Sequence, residues 1–101
     1  MQIQITSVHF TANAELENFV NQKVKKLSTF FDGIERAEVF LKLNNDSQNR
    51  EHRIAEVKLL VPGQTLFASE QAKTFEEATA EAVEAVRNQL LTYKGKLTAK
   101  H

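Results

Sequence analysis

Two groups of cations, Lys23, Lys25 and Lys26 in one stretch and Arg87, Lys94 and Lys96 in another, have the residue type and spacing to hold anionic groups such as phosphates. Nothing comparable supports bond-making chemistry. The three histidines, His9, His52 and His101, include no pair with the spacing of a metal site. Cysteine is absent, so a thiolate nucleophile, a disulfide framework and Cys-based zinc sites are excluded. No Gly-x-Ser-x-Gly elbow presents a serine. Three glycines, with Pro62-Gly63-Gln64 as the main turn, leave no P-loop and no dinucleotide fingerprint. The adjacent carboxylates Glu76 and Glu77 fall at the start of a helix, where a cap and the positive end of its dipole account for them. The sequence therefore assigns no catalytic residue, metal, cofactor or small-molecule substrate, and the expectation is that the protein is not an enzyme.

The elements that must position those cations belong to a chain of 101 residues, expected to form a single domain over residues 1–101. Its 42% hydrophobic and 8% aromatic content suits one packed core. The opening MQIQITSVHF has neither the basic start nor the apolar run of a secretory signal, and no window approaches the roughly 18 apolar residues of a membrane span. A cytoplasmic protein without membrane partners is expected. Basic and acidic residues number 13 each, which argues against a wholly basic surface and leaves room for one charged face.

Ile3 and Ile5 alternate with Gln2, Gln4 and Thr6, the period of a strand with one buried face. From Thr11, a plausible N-cap, the period changes. Leu16, Phe19, Val20, Val24, Leu27 and Phe31 follow helical steps, with Asp32-Gly33 expected to stop the helix. Ala37, Val39, Leu41 and Leu43 mark a second strand, which runs into the polar loop NNDSQNRE. Ala55, Val57, Leu59 and Val61 mark a third, and Leu66 to Glu70 returns after the Pro62-Gly63 turn. Thr74 and Glu77 have the spacing of a capping box, opening a helix whose buried stripe is Phe75, Ala78, Ala82, Val86, Leu90, Tyr93 and Leu97. The order is β-α-β-β-β-α, an α+β fold with a four-stranded, mostly antiparallel sheet and both helices on one face.

Both helices carry carboxylates near their starts and cations near their ends. The macrodipole favours that arrangement and accounts for one or two charges per end. It explains Arg87 less well, because Arg87 lies about two turns before Lys94 and the effect fades within a terminal turn. From Ala85 onward the chain has Arg87, Lys94, Lys96 and Lys100 and no acidic residue. If the helices lie roughly parallel, the two groups adjoin as one basic patch suited to nucleic acid; otherwise they are solvated helix ends.

KVKKLSTFFDGI (residues 23–34), AEVFLKL (residues 37–43) and KTFEEATAEAVEAVRNQLLTYKGKL (residues 73–97) resemble, in order and spacing, the ribosome hibernation-promoting factor family, also called ribosome-associated inhibitor or sigma-54 modulation protein. The resemblance covers nearly the whole chain. It implies a fold similar to double-stranded RNA-binding domains and a short-form stress-response factor. Such a factor occupies the messenger and transfer RNA channel of the small ribosomal subunit and blocks translation. Its partners would be that subunit and its ribosomal RNA. By matching position, the RNA-binding residues implied are Lys23, Lys26, Lys94 and Lys96, while Lys25 and Arg87 are added from charge placement. Members often have further cations where this chain has Ala85, Asn88 and Thr92, so Lys94 and Lys96 rank ahead of Arg87. The alternative is a protein-interaction module or weak homodimer that uses an open sheet face with Phe40 and Phe67 and binds no RNA.

Overall fold

The computed structural model describes residues 1–98, and its strands follow the period-two segments closely. They are β1 (Gln2–Val8), β2 (Arg36–Asn45), β3 (Glu51–Val61) and β4 (Gln64–Ala72). The helices are α1 (Ala14–Lys25), continued by a 3₁₀ turn over Lys26–Thr29, and α2 (Phe75–Thr98). Strand order in the sheet is β1-β2-β3-β4. The β1–β2 pair is parallel because α1 forms the crossover between them, and the two hairpin-linked pairs are antiparallel.

Register carries one side of every strand into the same layer. Ile5 pairs with Val39, Val39 with Val57 and Val57 with Ala68, and the last three are buried. Both helices close over that face. Leu16, Val20, Val24 and Leu27 come from α1 and the 3₁₀ turn, while Ala78, Ala82, Val86, Leu90 and Tyr93 come from α2. Tyr93 also donates its hydroxyl to the Pro62 carbonyl at 2.8 Å, which satisfies its polar end inside the core. Leu97 departs from the expected stripe and is exposed.

Helix boundaries differ from the sequence reading where side chains compete for backbone groups. Asn13, not Thr11, caps α1: its Oδ1 accepts from Leu16 N at 2.8 Å. Helix α1 ends before Asp32-Gly33 because Ser28 and Thr29 donate their hydroxyls to the Lys25 and Lys26 carbonyls, each at 2.7 Å. Phe31 therefore leaves the helix and meets Tyr93 edge-to-face, with ring centroids 5.5 Å apart. Of the expected capping box, the Thr74 half is formed, with Glu77 N donating to Thr74 Oγ1 at 3.1 Å.

Edge strand β4 is closed by α2. Gln89 accepts from Phe67 N at 3.2 Å and donates to Phe67 O at 2.6 Å, so one side-chain amide replaces a neighbouring strand. The polar stretch after β2 is likewise ordered. Asp46 N donates to Arg50 O and Asn49 N donates to Asp46 O, both at 3.0 Å, with Asn49 at φ 59 in the left-handed position of a bulged turn.

The Asp46 carboxylate organises this turn by accepting from Gln48 N, Arg50 N and Arg50 Nε at 2.8, 2.9 and 2.7 Å, and from His52 Nε2 at 3.1 Å. The Arg50 amide first, then the His52 ring, hold its carboxyl well below the usual carboxylate range. A lowered folded-state value makes the contribution complete above the unfolded value of about 3.9 and lost as pH falls toward the folded value. Titration of the Asp46 carboxyl carbon by NMR is expected to show a midpoint clearly below the ordinary range. The stability gap between wild type and Asp46→Ala should narrow below about pH 4. An ordinary midpoint, or a gap independent of pH, would contradict the role given to this carboxylate.

Candidate nucleic-acid interface

Phe10 stacks on Phe75 with centroids 4.4 Å apart and ring planes 10° from parallel, joining the segment before α1 to the start of α2. From that common end the helices run side by side. The last turn of α1 and the 3₁₀ turn reach the middle of α2, where Lys23, Lys26 and Phe30 face Ala80, Val83 and Arg87 across a groove of about 460 Å³. Its floor is mostly apolar and its rim is cationic.

Aromatic rings and a carbonyl position these cations. The Arg87 guanidinium carbon lies 4.5 Å from the Phe30 ring centroid, and Arg87 also approaches Glu84 at 3.5 Å. The Lys23 ammonium sits 5.6 Å from the Phe19 ring centroid. Lys94 donates to the Phe30 carbonyl at 3.0 Å, seven residues beyond Arg87 and on the same side of α2. Phe30 thus anchors Arg87 and Lys94, two of the three α2 candidates.

The other two candidates point elsewhere. Lys25 lines a separate hollow with Met1, Ile3, Asn21 and Ser28. Lys96 lies on the opposite flank of α2, beside Gln64 and Tyr93. The structure therefore groups Arg87 with Lys23 and Lys26, places Lys94 next to them and separates Lys25 and Lys96. Lys100 and His101 lie outside the described residues. Phe30, Phe19 and Glu84 are the members of this surface that charge placement did not reveal. For Phe30 the signal was present, since it is an aromatic one step out of phase with the Leu27–Phe31 stripe.

Charge pairing distinguishes this side of the molecule from the open face of the sheet. There Arg36 pairs with Glu38 at 3.0 Å, Lys42 with Glu56 at 3.0 Å and Lys58 with Glu38 at 4.0 Å. Among the described residues, no carboxylate comes within 4.0 Å of the Lys23, Lys25 or Lys26 ammonium. Phe67 is 47% exposed on that open face and Phe40 is half-buried, so the aromatics are present but the cations around them are already neutralised. No group of three or more His, Cys, Asp or Glu able to hold a metal occurs among the described residues. No helix there is long and apolar enough to cross a membrane.

Residues 3–98 match the family described as sigma 54 modulation protein / S30EA ribosomal protein. A Klebsiella oxytoca protein called ribosome hibernation promoting factor is 30% identical over 97 residues, covering 96% of this chain and 97% of the relative. Two solved structures share the fold. A ribosomal subunit interface protein from Coxiella burnetii superposes with a TM-score of 0.82 at 19% identity, covering 94% of this chain and 99% of the other. The N-terminal domain of Thermus thermophilus Protein Y superposes with a TM-score of 0.77 at 20% identity, covering 92% and 99%.

Proposed function

Because the chain belongs to the sigma 54 modulation protein / S30EA ribosomal protein family, whose members are non-enzymatic ribosome-associated proteins, we propose that it is a hibernation factor of the small ribosomal subunit. It occupies the channel used by messenger and transfer RNA and excludes both. Its compartment is the cytoplasm, and its direct partner is ribosomal RNA. The observation that carries this reading is the interhelical rim: among the described residues Lys23 and Lys26 lack carboxylate partners, and they stand opposite Arg87 on a rigid two-helix surface. Phosphates supply the missing countercharge. Such contacts orient a protein without reading sequence, which suits a partner recognised by its folded shape.

Co-sedimentation with purified small subunits tests this. With about four or five phosphates engaged, affinity should fall by roughly two to three powers of ten between about 50 and 200 mM salt. Affinity that stays flat across that range, or no co-sedimentation at low salt, would overturn the proposal. Native mass spectrometry of the free protein separates it from the interaction-module reading, for which a tight dimer without RNA affinity is the signature.

A further inference from the structure

We propose that the groove between α1 and α2 receives the base of one unpaired RNA nucleotide, with its phosphates held by Lys23 and Lys26 and the base stacked against the Arg87–Phe30 pair. The inference rests on the RNA-binding reading above and adds what part of the RNA the site takes.

Floor and rim of the groove differ in chemistry. Cations alone would suit the phosphates of a duplex, but a duplex offers nothing to an apolar floor. Here Leu27 from the α1 side and Ala80 and Val83 from α2 line the same groove as Lys23, Lys26 and Arg87. An occupant matched to both is anionic at its edge and weakly polar in its body. A nucleotide released from base stacking has both properties, and about 460 Å³ falls within the roughly 300–1,000 Å³ of small-molecule clefts.

Arg87 gives the groove its orientation. With its guanidinium carbon 4.5 Å from the Phe30 centroid, the head group is held over the ring while the side chain stays 33% exposed. A supported guanidinium is a stacking surface for a splayed base, and lysine at the same position would conserve charge without offering a plane. Glu84, 3.5 Å from Arg87, cancels part of the rim charge, so the remaining positive field is concentrated on the Lys23 and Lys26 side. That asymmetry places phosphate at α1 and base toward α2.

Three proteins, wild type, Arg87→Lys and Val83→Phe, are compared for small-subunit binding at two salt concentrations, with thermal unfolding checked for each. Val83→Phe fills the groove and leaves every charge in place. Both variants should bind about tenfold more weakly, the scale of one lost base stack, with an unchanged salt slope. Wild-type affinity in both variants would overturn the groove assignment and leave the phosphate reading standing. A loss accompanied by a shallower slope would overturn it too, by assigning Arg87 to a phosphate. A wild-type protein that fails to bind subunits removes the parent reading, and the groove assignment with it. Should a variant unfold, wild type decides alone: it should prefer a labelled RNA hairpin with one unpaired adenosine over the fully paired hairpin, and equal affinity overturns the proposal.

Discussion

Simultaneous Lys23→Glu, Lys26→Glu and Arg87→Glu substitution should weaken small-subunit binding by about three powers of ten, taking roughly 1.5 kcal/mol for each of the two phosphate contacts of Lys23 and Lys26 and about 1.4 kcal/mol for the stacking surface lost with Arg87. The three positions converge on one groove although they come from two helices, so the substitutions replace one positive rim with a negative one. None belongs to the buried core. Folding loses the Arg87–Phe30 and Lys23–Phe19 ring contacts, about 0.5 kcal/mol each, and gains a repulsion of a few tenths of a kcal/mol between Glu84 and the carboxylate introduced one turn later at position 87. Thermal unfolding should shift by no more than about 10 °C. Lys42→Gln is the control, because Lys42 is already paired with Glu56 on the open sheet face. It should leave binding unchanged. Lys94→Glu with Lys96→Glu should have an intermediate effect, since those residues occupy opposite flanks of α2. Equal losses from the control and the triple variant would show that overall charge, rather than the groove, governs binding.

The contrast between Arg87 and Lys96 shows what could be read from the sequence. Period-two runs through Ala37–Leu41 and Ala55–Val61, and the three-four stripe from Phe75 to Tyr93, became buried faces because one core must be filled from both sides. Their order already implied two helices over one sheet face. Which flank of a helix a cation occupies relative to its neighbour is a tertiary matter. Arg87 meets Phe30 across 57 residues of sequence, and no local period encodes that meeting. Family resemblance pointed to Lys94 and Lys96 first, whereas packing brings Arg87 into the rim with Lys23 and Lys26. Helix ends were legible only in part for a different reason. Thr11 and Asn13 are both competent caps, and the choice follows from where the chain leaves the Phe10–Phe75 stack.

That stack, with the Gln89 and Tyr93 hydrogen bonds, makes α2 the element that links the core to the charged surface. Gln89 ties the helix to edge strand β4, Tyr93 ties it to the Pro62 turn, and Arg87 and Lys94 extend from the flank toward α1. Stability and binding therefore depend on different residues of the same three turns. Side-chain truncation can separate them.

Leu90→Ala is expected to cost about 3–4 kcal/mol and lower the unfolding midpoint by roughly 12–25 °C. Leu90 is 0% exposed, and the residues on either side of it along α2 are pinned to β4 and to the Pro62 turn. A helix held on both sides of the deleted isobutyl group cannot move inward to fill the space, so the cost stays clear of the low end of the range for leucine truncation. The Leu90 side chain carries no charge and does not line the groove. Well below the new midpoint, subunit affinity should stay within about threefold of wild type, because the population that binds remains folded. This is the reverse of the triple-glutamate pattern, in which the midpoint falls less and affinity is lost. A Leu90→Ala cost under about 1 kcal/mol would mean that α2 can settle into the cavity, and the rigid placement of Arg87 over Phe30 would then lose its structural basis.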